Sequence, residues 1–228
     1  MRFSKLLLAA SAAVLLGACQ PTADRTSEAA FEKQALTQIP HAQLPDTVTP
    51  RSYKIDMRID PQQNGMSGIV AIDATINEVT DRLWIHAKEM TVRSARIDYS
   101  DGSTADLTFH AVPLADAPSG IAYLTGDRNI RAGQGVITLE YETPFNQNLN
   151  SAYQVKRGEE AYIVTQFEPL GAREAFPSFD EPKFKVPFTL SITSPADEVV
   201  ISNTPKICLL YTSPSPRDLS TSRMPSSA

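Results

Sequence analysis

Two runs of strict alternation constrain this 228-residue chain more than any other feature. Tyr53, Ile55, Met57 and Ile59 alternate with Lys54, Asp56, Arg58 and Asp60, and Val70, Ile72, Ala74 and Ile76 repeat the pattern beyond an Asn64-Gly65 turn. A period of two places the apolar side chains on one face of an extended segment, so both runs are expected to be half-buried strands. Further strand candidates lie at 83–86, 94–99, 107–111, 121–124, 136–141, 161–166, 188–193 and 199–202. Turn signals at Asp101-Gly102, Ser119-Gly120, 127–129, Gly133 and Gly135 separate them. Many short strands with no long 3.6-period stretch predict a mainly β fold, an antiparallel β-sandwich.

Composition narrows the function classes. At 42% hydrophobic the chain can bury a core, and 21 Lys+Arg against 26 Asp+Glu give a formal charge of −5. That acidic balance argues against a nucleic-acid partner, which requires a basic face. Two cysteines exclude a disulfide-dense scaffold and a cysteine-only structural zinc site.

Both ends read differently from the middle. Arg2 and Lys5 precede an apolar run over 6–17 broken only by Ser11, the length of a signal-peptide core and too short to span a bilayer. Leu16-Gly17-Ala18-Cys19 then resembles a bacterial lipoprotein box, which implies a signal peptide over 1–18, lipidation of Cys19 and a flexible tether over 19–43. Several acyl chains on one residue give stable anchoring. Gln20 after the cysteine resembles outer-membrane sorting, so the expected location is the cell envelope, anchored in the outer membrane and facing the periplasm of a Gram-negative bacterium. At the other end, Cys208 to Asp218 back-translates to a transposase-type sequencing adapter, and Ser222 to Ala228 to the flow-cell end of one. The expected division is therefore a β domain over 44–206 and a non-native tail over 207–228. Without the signal and the read-through, 17 basic residues face 25 acidic ones, a formal charge of −8.

The most informative stretch runs from Tyr162 to Pro187, YIVTQFEPLGAREAFPSFDEPKFKVP. A strand ending at Gln166 delivers Glu168 to a turn at Pro169, and 171–175 can form one helical turn before Pro177. Phe176, Phe179 and Phe184 are packing anchors, and Asp180 and Glu181 precede a turn at Pro182. Arg173 can pair with Asp180 or Glu181 to fix an irregular loop, a structural role for these residues.

This stretch resembles the zinc aminopeptidases of the aminopeptidase N family, whose pattern is close to T-Q-x-E-P-x-x-A-R-x-A-F-P-C-F-D-E-P. Leu44-Pro45, Pro50 to Tyr53, Gly68, Trp84-Ile85-His86-Ala87 and Ile201 to Pro205 fall in the order of that family's N-terminal domain, so the resemblance covers about 44–206. Ser178 stands where cysteine is common, Leu170-Gly171 where Thr-Asp is common, and Val186-Pro187 also departs. The resemblance implies a saddle-like β-sandwich covering one side of a catalytic cleft. It also implies that Gln166 and Glu168 line the substrate pocket, with Glu168 accepting hydrogen bonds from the free α-ammonium of a peptide.

Such enzymes use an H-E-x-x-H helix and a downstream Glu to hold zinc. The histidines here are His41, His86 and His110, no two of them four apart, and the family's Gly-x-Met-Glu-Asn segment is absent. His86 and His110 read as ordinary strand residues. No catalytic residue and no zinc ligand is expected in this chain, and zinc is expected for a full-length enzyme. Two readings follow. One is a fragment of a zinc aminopeptidase lipoprotein whose partners are peptide amino termini and the missing catalytic domain of the same polypeptide. The other is a stand-alone β-sandwich lipoprotein for binding or adhesion.

Overall fold

The computed structural model describes residues 39–41 and 43–208. The signal-peptide, Cys19 and most tether readings, and the tail beyond Cys208, lie outside the described residues. Among the described residues ten strands and one helical turn follow in chain order: β1 (Val48–Arg58), β2 (Gly65–Ile76), β3 (Thr80–His86), β4 (Thr91–Tyr99), β5 (Thr104–Ala111), β6 (Ile121–Ile130), β7 (Gly133–Pro144), β8 (Ser151–Arg157), β9 (Glu160–Gln166), α1 (Ala172–Ala175) and β10 (Phe188–Thr193). Eight strands form one curled sheet in the order β10-β1-β2-β7-β4-β5-β6-β3, and β8 pairs with β9 as a separate hairpin. All pairings are antiparallel except β1 with β10. The fold is the expected mainly β architecture.

The longest ladder joins β2 to β7, from Gly65 opposite Pro144 to Ile76 opposite Gly133. Along β2, Met66, Val70, Ile72, Ala74 and Ile76 are buried, and Ile137, Leu139 and Tyr141 of β7 meet them on the same face. Fully burying each large aliphatic side chain contributes roughly 1.5–3 kcal/mol. Gly68 is required by this packing, because a Cβ there would lie 2.7 Å from Tyr141 Oη and 2.8 Å from the Asp56 carbonyl oxygen. In β3, Leu83, Trp84, Ile85 and His86 are all buried, so this edge strand is covered on both faces.

Some expectations shift. β1 starts at Val48 rather than Tyr53, because the irregular register between Pro50 and Ser52 accommodates a residue that cannot donate to the ladder. Residues 127–129, Gly133 and Gly135, read as punctuation, lie inside β6 and β7. The polar strand β8 was not anticipated; its Gln, Lys and Arg hide the alternation. The expected strand at 199–202 is absent. Val199 and Ile201 are 82% and 89% exposed, so that apolar run has the right composition but no strand beside it.

Candidate functional site

β9 ends at Gln166, which sits opposite Ser151 of β8. Directly opposite and alternate residues share a face, so Gln166 stands at the end of a row formed by Val155 with Tyr162 and Tyr153 with Val164. Val155, Tyr162 and Val164 are exposed on that row. The chain then turns through Phe167 to Gly171, with a cis peptide between Glu168 and Pro169, and the Gly171 N–H donates to the Phe167 carbonyl at 2.7 Å. Gln166 and Glu168 are both exposed. The Gln166 amide lies 3.4 Å from the Glu168 backbone oxygen. The Glu168 carboxylate has no hydrogen bond or ion pair among the described residues.

Beneath this turn the motif is fastened to the sheet. Arg173 is buried; its Nε donates to Asp180 Oδ2 at 2.8 Å, its Nη2 to the Asp180 carbonyl at 2.7 Å and its Nη1 to the Ser119 carbonyl at 2.9 Å. A planar guanidinium can serve these acceptors together, which an ammonium group cannot. His86 and Ser178 exchange two backbone hydrogen bonds of 2.9 Å, and His86 Nδ1 accepts the Asp180 N–H at 3.2 Å. Burial, and then the nearby Arg173 charge, push the His86 pKa down to about 3, so its imidazole is a neutral acceptor. Tyr53 Oη accepts the Phe179 N–H at 2.9 Å, and burial pushes the pKa of this phenol up.

Glu181 does not pair with Arg173. Its Oε1 accepts the Leu44 N–H at 2.6 Å, and its Oε2 lies 3.2 Å from Lys183 Nζ. Pro182 follows in a turn closed by the Phe184 N–H on the Glu181 carbonyl at 3.0 Å. Thus the predicted ion pair uses Asp180, while Glu181 ties down the chain's entry into the domain.

Sequence reasoning missed Glu174. Its carboxylate accepts from Lys88 Nζ at 2.7 Å, from Asn146 Nδ2, and from Asn150 Nδ2 at 3.4 Å, while its carbonyl accepts from Thr143 Oγ1 at 2.9 Å. The one available signal was a carboxylate beside Arg173 in a helical turn; its partners are remote in sequence.

A cavity of about 380 Å³ lies between Asp56, Arg58, Arg93 and Glu140, away from Gln166 and Glu168. Among the described residues no three His, Cys, Asp or Glu side chains converge as metal ligands. His110 Nε2 lies 2.9 Å from Thr125 Oγ1 and its ring stacks on Tyr123.

A family model described as the Peptidase M1 N-terminal domain matches residues 49–212. Aminopeptidase M1-A of Oryza sativa subsp. japonica is 27% identical over 186 residues, 78% of this chain and 21% of that protein. Aminopeptidase A of Gloydius brevicauda is 29% identical over 168 residues, 71% of this chain and 17% of that protein. Aminopeptidase N of Acetobacter pasteurianus is 30% identical over 168 residues, 72% of this chain and 45% of that protein. The chain spans about a fifth of the length of the rice relative. The matched span takes in nearly all of β1 through β10 and the clamped loop between them, and the chain therefore belongs to the M1 aminopeptidase family, of which it carries the N-terminal domain.

Proposed function

We propose that this domain forms one wall of the cleft of a zinc-dependent aminopeptidase, and that Glu168 receives the free α-ammonium of the peptide, with Gln166 contacting the same end. The observation that carries this is a contrast among the motif carboxylates. Glu174, Asp180 and Glu181 are each held by groups of the fold, whereas Glu168 is exposed and has no partner among the described residues. A carboxylate left free on a fastened turn suits a charged ligand that arrives from outside, and a charge-assisted bond to an ammonium favours an exopeptidase substrate.

In this reading the chain is a fragment, 207–228 is non-native, and the catalytic domain and its zinc ligands belong to the continuing polypeptide. The exposed row of Val155, Tyr162 and Val164 beside Gln166 supports a face that such a domain covers. Cys19 anchors the assembly by its lipid in the outer membrane, facing the periplasm.

The test is Glu168→Ala in the full-length enzyme. A hydrogen bond to a charged group contributes about 1.5–3 kcal/mol, so KM for peptides should rise about 10- to 100-fold with zinc content unchanged. Unaltered peptide kinetics would refute the role. A stop codon near Lys206 in the adapter-free gene would instead favour the stand-alone binding lipoprotein.

A further inference from the structure

An unpaired carboxylate cannot be located by its own contacts. Glu168 must be positioned by the turn beneath it, and that turn rests on Gly171. A Cβ at Gly171 would lie 2.7 Å from the Gln166 carbonyl oxygen, 3.0 Å from Asn150 Oδ1 and 3.0 Å from the Ser151 nitrogen. Asn150 therefore borders the base of the turn, and its other amide atom, Nδ2, reaches Glu174 Oε2 at 3.4 Å.

Glu174 draws several loops to this point. Lys88, between β3 and β4, donates to Oε1 at 2.7 Å, while Asn146 and Asn150, between β7 and β8, donate to Oε2. The Lys88 N–H also donates to the Arg173 carbonyl at 2.9 Å, so the same loop is fastened to α1 twice. The Glu174 side chain is only 11% exposed, so its contacts are with the fold itself.

We infer that Glu174 is a positioning residue for the amine site: through Asn150 and Lys88 it holds the Phe167–Gly171 turn at the height that presents Glu168. This rests on the assignment of Glu168 as the ammonium acceptor. The physical basis is preorganisation: a receptor group held in place before binding loses less freedom when the ligand arrives.

Two measurements test it. In the full chain, amide hydrogen exchange at Gly171 should quicken at least ~10-fold in Glu174→Ala, while the amides of β2 and β7 keep their protection. In the full-length enzyme, with rates normalised to titrated active sites, Glu174→Ala should raise KM about 5- to 10-fold and leave kcat within about twofold, and Glu174→Gln should recover part of the loss. In a Glu168→Ala background the same substitution should add no further increase in KM.

Unchanged exchange at Gly171, or a KM effect that multiplies with that of Glu168→Ala, would overturn the inference. If Glu174→Ala does not fold, Asn150→Ala removes one leg of the clamp and is held to the same criteria. If Glu168→Ala itself leaves KM unaltered, the amine-site reading fails, while the exchange measurement still decides whether Glu174 holds the turn.

Discussion

Arg173 and Asp180 are joined at two points: the guanidinium Nε meets the Asp180 carboxylate at 2.8 Å, and Nη2 meets the Asp180 backbone carbonyl at 2.7 Å. The side chain of Arg173 is 5% exposed and that of Asp180 19%, so the pair is largely withdrawn from water. It closes the loop between α1 and β10 over the end of β3, where Asp180 also donates its N–H to His86.

Removing one partner of such a pair leaves the other charge buried and unmatched, at a cost of about 3–5 kcal/mol. Arg173→Ala should therefore lower the urea midpoint of the full chain strongly. Arg173→Lys should recover little, because an ammonium cannot reach the Ser119 carbonyl and both Asp180 acceptors at once. A loss below about 1 kcal/mol in Arg173→Ala would show that the loop is held by its other contacts.

His86 makes this loop sensitive to acid. Its folded pKa is pushed from 6.5 to about 3, so below pH 6.5 the unfolded chain takes up a proton that the folded chain refuses. Stability fully present above pH 6.5 is thus lost as pH falls toward 3, by about 1.4 kcal/mol for each pH unit within that window. Urea unfolding between pH 7 and 4 should show a smaller loss in His86→Gln, which keeps the carboxylates but cannot bind that proton. Parallel pH profiles for the two proteins would contradict the assignment.

Ser178 occupies the position where the related pattern commonly has cysteine, and its buried hydroxyl has no hydrogen-bond partner among the described residues. Burying a hydroxyl without a partner costs about 1–3 kcal/mol. Ser178→Ala and Ser178→Cys should each raise Tm, with a gain of about 1 kcal/mol. The backbone bridge to His86 should be unaffected, since it uses only main-chain atoms. A lowered Tm in both variants would mean that the hydroxyl is bonded after all.

Gly171→Ala tests the close approach at the base of the turn. The added methyl would meet a backbone carbonyl at 2.7 Å, and forced overpacking of this kind costs typically about 1–3 kcal/mol. The matching loss should appear in thermal unfolding, together with faster exchange of the amides flanking Gln166. Wild-type stability in this variant would show that the turn relaxes freely.

Much of the fold was legible because alternation is written locally. β2 shows its core face directly in Val70, Ile72, Ala74 and Ile76. The motif told where a fastened loop should be, and 171–175 does contain the helical turn of α1. β8 escaped because its partner β9 supplies the pairing that its own polar residues do not advertise. The run at 199–202 misled for the opposite reason: its apolar composition suits a strand, but strand formation needs a neighbour to satisfy the backbone. Within the motif, sequence spacing could not choose between Asp180 and Glu181 as the partner of Arg173, since both lie within reach along the chain.

Periodicity and motif spacing are properties of neighbouring residues, so a mainly β, acidic chain built around a Thr165 to Pro182 motif can be read from residue order alone. Which motif carboxylates the fold consumes, and which one is left without a partner among the described residues, depends on contacts made in three dimensions. The partners that decide it are remote: Leu44 reaches Glu181 across 137 residues and Lys88 reaches Glu174 across 86. Such contacts exist only once the sheet has brought β3, β7 and the loop before β10 together, and no local pattern encodes that meeting.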